Sequence, residues 1–279
     1  MLRLLLALAL FAPGVAAAET VSFPSRDQGL TGGAPTTLSA HLFKPEGAGP
    51  FPLVVAAHSC AGLYQRDSEK LSPHLVDWYR RFVTEGWAVL LPDSFTPRGI
   101  RRVCEGGAQK ASVGFERPAD MWGAVAWAEA QPVLRSDRMA LIGWSNGGST
   151  VLFTNSVTSR MRTPEPRHDF RLVVAFYPGC QGAVQISGFR QAAPLAIFIG
   201  ADDDWTPAAP CRELAGRLPN VRYTEYPGVW HSFDAPNTPR MVLQGVNTPS
   251  KTATIGTNQP ARMAAIEATM TMLREALRD

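Results

Sequence analysis

Three residues far apart in the chain, a serine, an aspartate and a histidine, stand where nucleophilic chemistry would need them. The serine lies in Gly143-Trp144-Ser145-Asn146-Gly147-Gly148, directly after the apolar run Met139-Ala140-Leu141-Ile142. This is a G-x-S-x-G pattern. A sharp turn from strand to helix lifts such a hydroxyl clear of a sheet, and glycine on either side leaves room for neighbouring backbone. The helix that follows would aim free N–H groups at the serine and favour negative charge developing beside it.

The acid is sought after the apolar run Leu195 to Ile199, in Gly200-Ala201-Asp202-Asp203-Asp204-Trp205-Thr206-Pro207. An acid that orients a histidine and stabilises its charged form must point into the site from the strand end. The arrangement G-x-x-D-x-x-T-P singles out Asp203, with Asp202 and Asp204 read as turn or capping residues. Among the five histidines, His231 follows the last expected strand, in Gly228 to Asp234, where a loop reaches back over the sheet. His41, His74 and His168 have structural readings in a strand, a helix start and a charged connector. His58 opens a further loop, His58-Ser59-Cys60-Ala61-Gly62. Backbone N–H groups there, together with the turn at the serine, would receive the oxygen of a tetrahedral intermediate, the donors being those of Cys60 and Asn146.

These residues must be carried by a frame, and the hydrophobic runs supply it. Short β-rich runs at Leu38 to Phe43, Pro52 to Ala57, Ala88 to Pro92, Met139 to Trp144, Leu172 to Tyr177, Leu195 to Gly200 and Val221 to Tyr226 alternate with helical segments. Those helical segments are Pro73 to Thr84, Pro118 to Ala130, Asn146 to Asn155, Ala209 to Leu218 and about Pro260 to Leu277. Several strands are almost continuously apolar, as strands covered on both faces must be. The alternation predicts an α/β fold with a mostly parallel sheet flanked by helices, in a single domain over residues 19–279. The stretch from Ala235 to Asn258 has no clear period and reads as an ordered surface loop, suited to form a rim of the site.

Composition narrows the classes further. With 45% hydrophobic residues the chain can bury a full core, and a formal net charge of +3 without alternating basic and aromatic residues argues against nucleic acid as a partner. No dinucleotide or phosphate-loop glycine pattern is present, and no cysteine or histidine spacing suits a metal, so neither a cofactor nor a metal is expected. Arg3, the apolar run Leu4 to Phe11, Pro13-Gly14 and the small residues Ala16 and Ala18 read as a secretory signal over residues 1–18. Cleavage would leave no stable membrane anchor, and the mature protein would be periplasmic or secreted. Export favours pairing of Cys60, Cys104, Cys180 and Cys211, for which three connectivities exist, beside the alternative of free buried thiols.

On His58 to Gly62, Pro92-Asp93-Ser94-Phe95, Gly143 to Gly148, Gly200 to Pro207 and His231-Ser232-Phe233-Asp234, the chain resembles the dienelactone hydrolase family of the α/β-hydrolase superfamily. The resemblance covers nearly the whole mature chain. The family's namesake enzymes use a cysteine nucleophile beside a glutamate in the first loop; here Ser145 takes the nucleophile's place, and no glutamate occurs in His58 to Gly62. The resemblance implies an α/β-hydrolase fold without a large lid domain. In it the strand ending at Ala57 lies beside that ending at Pro92, and the strand ending at Tyr177 beside that ending at Gly200. That order in turn implies the disulfides Cys60–Cys104 and Cys180–Cys211.

The activity so implied is hydrolysis of a small-molecule or polymer-end carboxylic ester through an acyl-enzyme on Ser145. Its rivals are acyl transfer by the same residues, and a non-catalytic exported binding protein. The short excursion between Tyr177 and Leu195 predicts an open mouth. Trp144, Trp205 and Trp230 are expected to wall the cleft, with local packing as the alternative. Arg98 is expected to attract an anionic substrate, as an arginine in the corresponding loop does in relatives; a solvated basic loop with Arg101 and Arg102 is the alternative.

Overall fold

The structure is a computed structural model and describes residues 18–106 and 110–278. The expected leader, residues 1–18, lies outside the described residues apart from Ala18. The strands are β1 (Glu19–Pro24), β2 (Thr37–Phe43), β3 (Phe51–Ala57), β4 (Ala88–Pro92), β5 (Leu134–Trp144), β6 (Leu172–Phe176), β7 (Leu195–Gly200) and β8 (Val221–Tyr226). They form one sheet in the order β1-β2-β4-β3-β5-β6-β7-β8. The pairs β1–β2 and β2–β4 are antiparallel, and all pairs from β4 through β8 are parallel. The expected neighbours β3 with β4 and β6 with β7 are therefore in place. β1 escaped the sequence reading because only Phe23 of its six residues is buried, too weak an alternation to stand out.

Helices α1 (Gln28–Thr31), α2 (Pro73–Thr84), α3 (Glu116–Glu129), α4 (Asn146–Thr154), α5 (Gln181–Gln185), α6 (Ala208–Arg217) and α7 (Gln259–Leu277) connect and cover the strands. Their starts follow from local chemistry. The Ser72 hydroxyl accepts from Leu75 N–H ahead of α2, and the Asn258 side chain accepts from Ala261 N–H ahead of α7, with Pro73 and Pro260 in the first turns. α3 packs with α4, while Arg262–Asp77 and Arg274–Glu85 ion pairs tie α7 to α2 and its C-cap. Helices on both faces leave every residue of β4, β6 and β7 buried. Each Val, Leu or Ile so buried contributes about 1.5–3 kcal/mol, which is why continuous apolar runs specify the central strands.

The stretch 235–258 differs from expectation. It folds into a hairpin of β9 (Met241–Gln244) and β10 (Thr252–Ile255), antiparallel and separate from the main sheet. Its first strand is mostly exposed, so neither strand carries the apolar alternation that would have revealed it.

Candidate active site

Ser145 lies between the last residue of β5 and the first of α4, with φ 55° and ψ −116°. A non-glycine residue held there costs about 1–3 kcal/mol, and the surroundings must hold it. Its N–H donates to Phe176 O at 2.9 Å, tying the turn to β6. The flanking glycines are demanded by close approach. A Cβ on Gly143 would lie 2.2 Å from Gly147 O, and one on Gly147 would lie 2.0 Å from Ala57 O. Only bare backbone lets β5, α4 and β3 meet at this turn.

From β7, the loop Gly200 to Pro207 sends Asp203 inward. Its Oδ1 accepts the N–H groups of Trp205 and Thr206 at 2.9 and 2.8 Å, which fixes the carboxylate and leaves Oδ2 for His231 Nδ1 at 2.7 Å. His231 Nε2 is 2.9 Å from Ser145 Oγ. With Nδ1–H donated to the carboxylate, Nε2 is the acceptor for the serine hydroxyl, the tautomer needed to remove its proton. Thr206 Oγ1 lies 3.1 Å from both Asp203 Oδ2 and His231 Nδ1 and donates to Tyr177 O at 3.0 Å. The imidazole is boxed by rings: Tyr177 at 4.5 Å and Trp205 at 5.0 Å between centroids.

The other two aspartates lie elsewhere. Asp202 is exposed, and Asp204, read as a turn or capping residue, instead accepts the N–H and hydroxyl of Thr254 at 2.7 and 2.8 Å, pinning β10. The hairpin is also anchored by Gly256 N–H to His231 O at 3.2 Å and by Asn247 N–H to Cys104 O at 2.9 Å. It thus joins the three loops around the site and forms a rim. Ser145 retains 6% exposure and His231 1%, so both are almost wholly enclosed by the surrounding loops.

The first loop starts against Ser145's helix, where a Cβ on Gly147 would lie 2.5 Å from His58 O, and Cys60 follows two residues later. Among the described residues, neither the Cys60 nor the Asn146 N–H has an internal acceptor. His58 is fully buried, its Nδ1 donating to Ser59 O at 2.8 Å and its Nε2 accepting from Ser94 N–H at 3.3 Å. Burial, reinforced by the charge of Arg117, pushes its pKa down to about 3, so the ring is neutral and structural. The disulfide Cys60–Cys104 joins this loop to the segment after β4, and Cys180–Cys211 joins the start of α5 to α6. Trp205 packs on the apolar cluster of Cys60, Phe95, Val103, Cys104 and Ala111.

Two expected substrate contacts are corrected by the geometry. Arg98 is buried, its side chain 6% exposed, and forks onto Asp120 at 2.9 and 2.7 Å while reaching Asp27 at 2.7 Å. Two carboxylates and burial hold it away from any ligand; Arg101 and Arg102 pair with Glu69 and Glu105. Trp144 is buried against Trp78, His74 and Phe176, because the last residue of β5 turns toward α2 and not toward the cleft. Trp230 is half-buried with the Arg240 guanidinium 4.8 Å above its ring, and Trp205 alone of the three makes a ring contact with His231.

The sequence reading missed several neighbours. Asp234, buried, accepts from Tyr177 OH, His74 Nε2 and Trp78 Nε1 at 2.6, 2.7 and 2.8 Å. Arg117 donates to His58 O at 2.7 Å and to Asn146 Oδ1. The expected helix began at Pro118, one residue beyond Arg117, so the only signal was a cation at the edge of an apolar run. Among the described residues no cluster of His, Cys, Asp or Glu suits a metal ion.

Residues 38–277 match the dienelactone hydrolase family. A curated relative from Azospirillum brasilense, named "Putative carboxymethylenebutenolidase", is 24% identical over 219 residues, covering 76% of this chain and 86% of its own length. Two solved structures show the same fold. A dienelactone hydrolase-like promiscuous phosphotriesterase from metagenomic libraries has TM-score 0.65 and 18% identity over 94% of this chain and 99% of its own. A dienelactone hydrolase from Anabaena variabilis has TM-score 0.58 and 17% identity over 96% and 100%.

Proposed function

We propose that this chain, which belongs to the dienelactone hydrolase family, hydrolyses carboxylic esters through an acyl-enzyme on Ser145. The observation that carries the reading is the unbroken series Ser145 Oγ, His231 Nε2, His231 Nδ1, Asp203 Oδ2, with contacts of 2.9 and 2.7 Å. Ser145 Oγ attacks the acyl carbon while its proton passes to His231 Nε2, and Asp203 stabilises the imidazolium. The carbonyl oxygen, now an anion, takes the N–H groups of Cys60 and Asn146, the latter at the positive end of α4. The alcohol leaves with the proton from His231. Water then gives a proton to His231, attacks the acyl carbon, and Ser145 recovers its proton as the acid departs.

Neutral esters fit the site better than anionic ones, since Arg98, Arg101 and Arg102 are all engaged by carboxylates. The segment between β6 and β7 holds only α5 among the described residues, which suits small or medium acyl groups or polymer ends. Export to the periplasm or beyond is supported by two disulfides and by the leader-like N-terminus. No described helix is long and apolar enough to cross a membrane.

The test is covalent. A fluorophosphonate probe should label the mature protein at Ser145 and short-chain aryl esters should be cleaved, both being lost in Ser145→Ala. Refusal of the probe together with uncleaved esters would sink the reading.

A further inference from the structure

We propose that Arg117 is a positioning residue of the oxyanion site, holding its two halves in register and setting behind them a positive charge that no carboxylate pairs directly. The inference rests on the acyl-enzyme reading above.

Arg117 is fully buried near the start of α3, 28 residues before Ser145. Its two terminal nitrogens go to different segments. One donates to His58 O at 2.7 Å, two residues ahead of the Cys60 N–H, and the other to the side chain of Asn146, whose own N–H is the second donor. The planar fork therefore bridges the β3 loop and the first turn of α4, adding side-chain hydrogen bonds to the close backbone approach of Gly147 to Ala57 and His58. The bridge holds the two donors in register, and donors must be placed to within about half an ångström of the productive geometry, roughly 3 Å from the developing anion, to be effective.

Its electrostatics differ from those of every other buried arginine near the site. Arg98 is neutralised by Asp27 and Asp120. Among the described residues no carboxylate forms an ion pair with Arg117, its Nε has no partner, and its guanidinium lies 5.1 Å over the Phe95 ring. Burial, reinforced by the charge of Arg98 and opposed by those of Asp120 and Asp93, pulls its pKa down to about 9, so it stays charged at neutral pH. An unpaired buried cation costs several kcal/mol. A bare staple between loops would be served more cheaply by a neutral amide. A cation is favoured where an anion forms in the reaction, because the anion that repays the burial cost exists only at the transition state.

The experiment compares Arg117→Gln and Arg117→Lys with wild type on short-chain aryl esters, and measures inhibition by an aryl trifluoromethyl ketone, which forms a tetrahedral oxyanion on the serine. Arg117→Gln should lower kcat roughly ten- to hundred-fold with KM changed by no more than about twofold, and weaken the ketone by the same factor as kcat/KM. Arg117→Lys, keeping charge but not the fork, should fall between. Unchanged kcat in Arg117→Gln overturns the proposal, as does a fall in kcat without a matching loss of ketone affinity. If Arg117→Gln does not fold, Arg117→Lys decides: wild-type kcat and ketone affinity overturn the proposal. A wild type that neither cleaves esters nor takes the fluorophosphonate overturns the underlying reading instead, and is seen before any variant is made.

Discussion

Tyr177 donates its hydroxyl to the buried carboxylate of Asp234 at 2.6 Å while its ring stands edge-on to the His231 imidazole at 4.5 Å. Asp234 lies three residues beyond His231, so the carboxylate that anchors Tyr177 also anchors the loop carrying His231.

Burial works against charge on Asp234, but His74, Tyr177 and Trp78 hold its pKa below the ordinary carboxylate value. A depressed folded pKa gives stability that is complete above the unfolded value of about 4 and is lost as pH falls through the folded pKa. Asp234→Ala should cost roughly 3–5 kcal/mol at neutral pH, since it strands the buried donors of Tyr177 and Trp78 and the half-buried one of His74. It should also flatten the acid limb below about pH 4. Urea unfolding at stepped pH reads both; a loss under about 1 kcal/mol would contradict the network.

His58 gives a second, separate pH dependence. Its folded pKa near 3 lies below an unfolded value of about 6.5, so the unfolded chain binds the extra proton in between. Stability is complete above about pH 6.5 and falls as pH drops toward 3, by up to about 1.4 kcal/mol per unit. His58→Gln should flatten that slope, and an identical slope in the variant would show that the ring titrates normally.

Arg98→Met leaves Asp27 and Asp120 buried without their cation and should destabilise by roughly 3–5 kcal/mol. Because the side chain faces these carboxylates and not the cleft, the ratio of kcat/KM for a charged half-ester to that for its neutral analogue should stay as in wild type. A selective loss on the charged ester would return Arg98 to the substrate.

The three neighbouring aspartates should separate cleanly. Asp203→Asn upsets the His231 tautomer and should reduce kcat on the order of ten-thousandfold. Asp204→Asn should loosen β10, costing about 1 kcal/mol with a modest effect on rate, and Asp202→Asn should do almost nothing. Equal losses in steady-state kinetics would reject this division.

The two disulfides should differ in kind. Each closes a loop, of 44 and 31 residues in sequence separation, and removal of either should cost about 4 kcal/mol in the chain-entropy account. The double variant at Cys60 and Cys104 should also lower kcat, since it frees a proposed oxyanion donor. That at Cys180 and Cys211 should lower stability with a smaller effect on rate. The opposite order in kcat would point to a different first loop.

Much of this was legible in one dimension because it is governed by local rules. Continuous apolar runs marked β3 to β7, and Pro260 marked a helix start, since burial and first-turn preferences act over a few residues. β1 and the β9–β10 hairpin lacked such a signal: most side chains of β1 and β9 face solvent, and β10 is only four residues long.

The sequence by itself determined the candidates: a serine in a glycine-flanked turn, a histidine after the last strand, a choice among three aspartates, and four cysteines with an implied pairing. Only the tertiary structure decided which charges were already spent. Arg98 and Arg117 are both arginines beside polar loops, yet one is locked between two carboxylates and the other donates to His58 O and the Asn146 side chain with no direct ion pair among the described residues. Residue type fixes what a side chain can do, whereas electrostatics depends on distance and burial, and those exist only once the chain has folded.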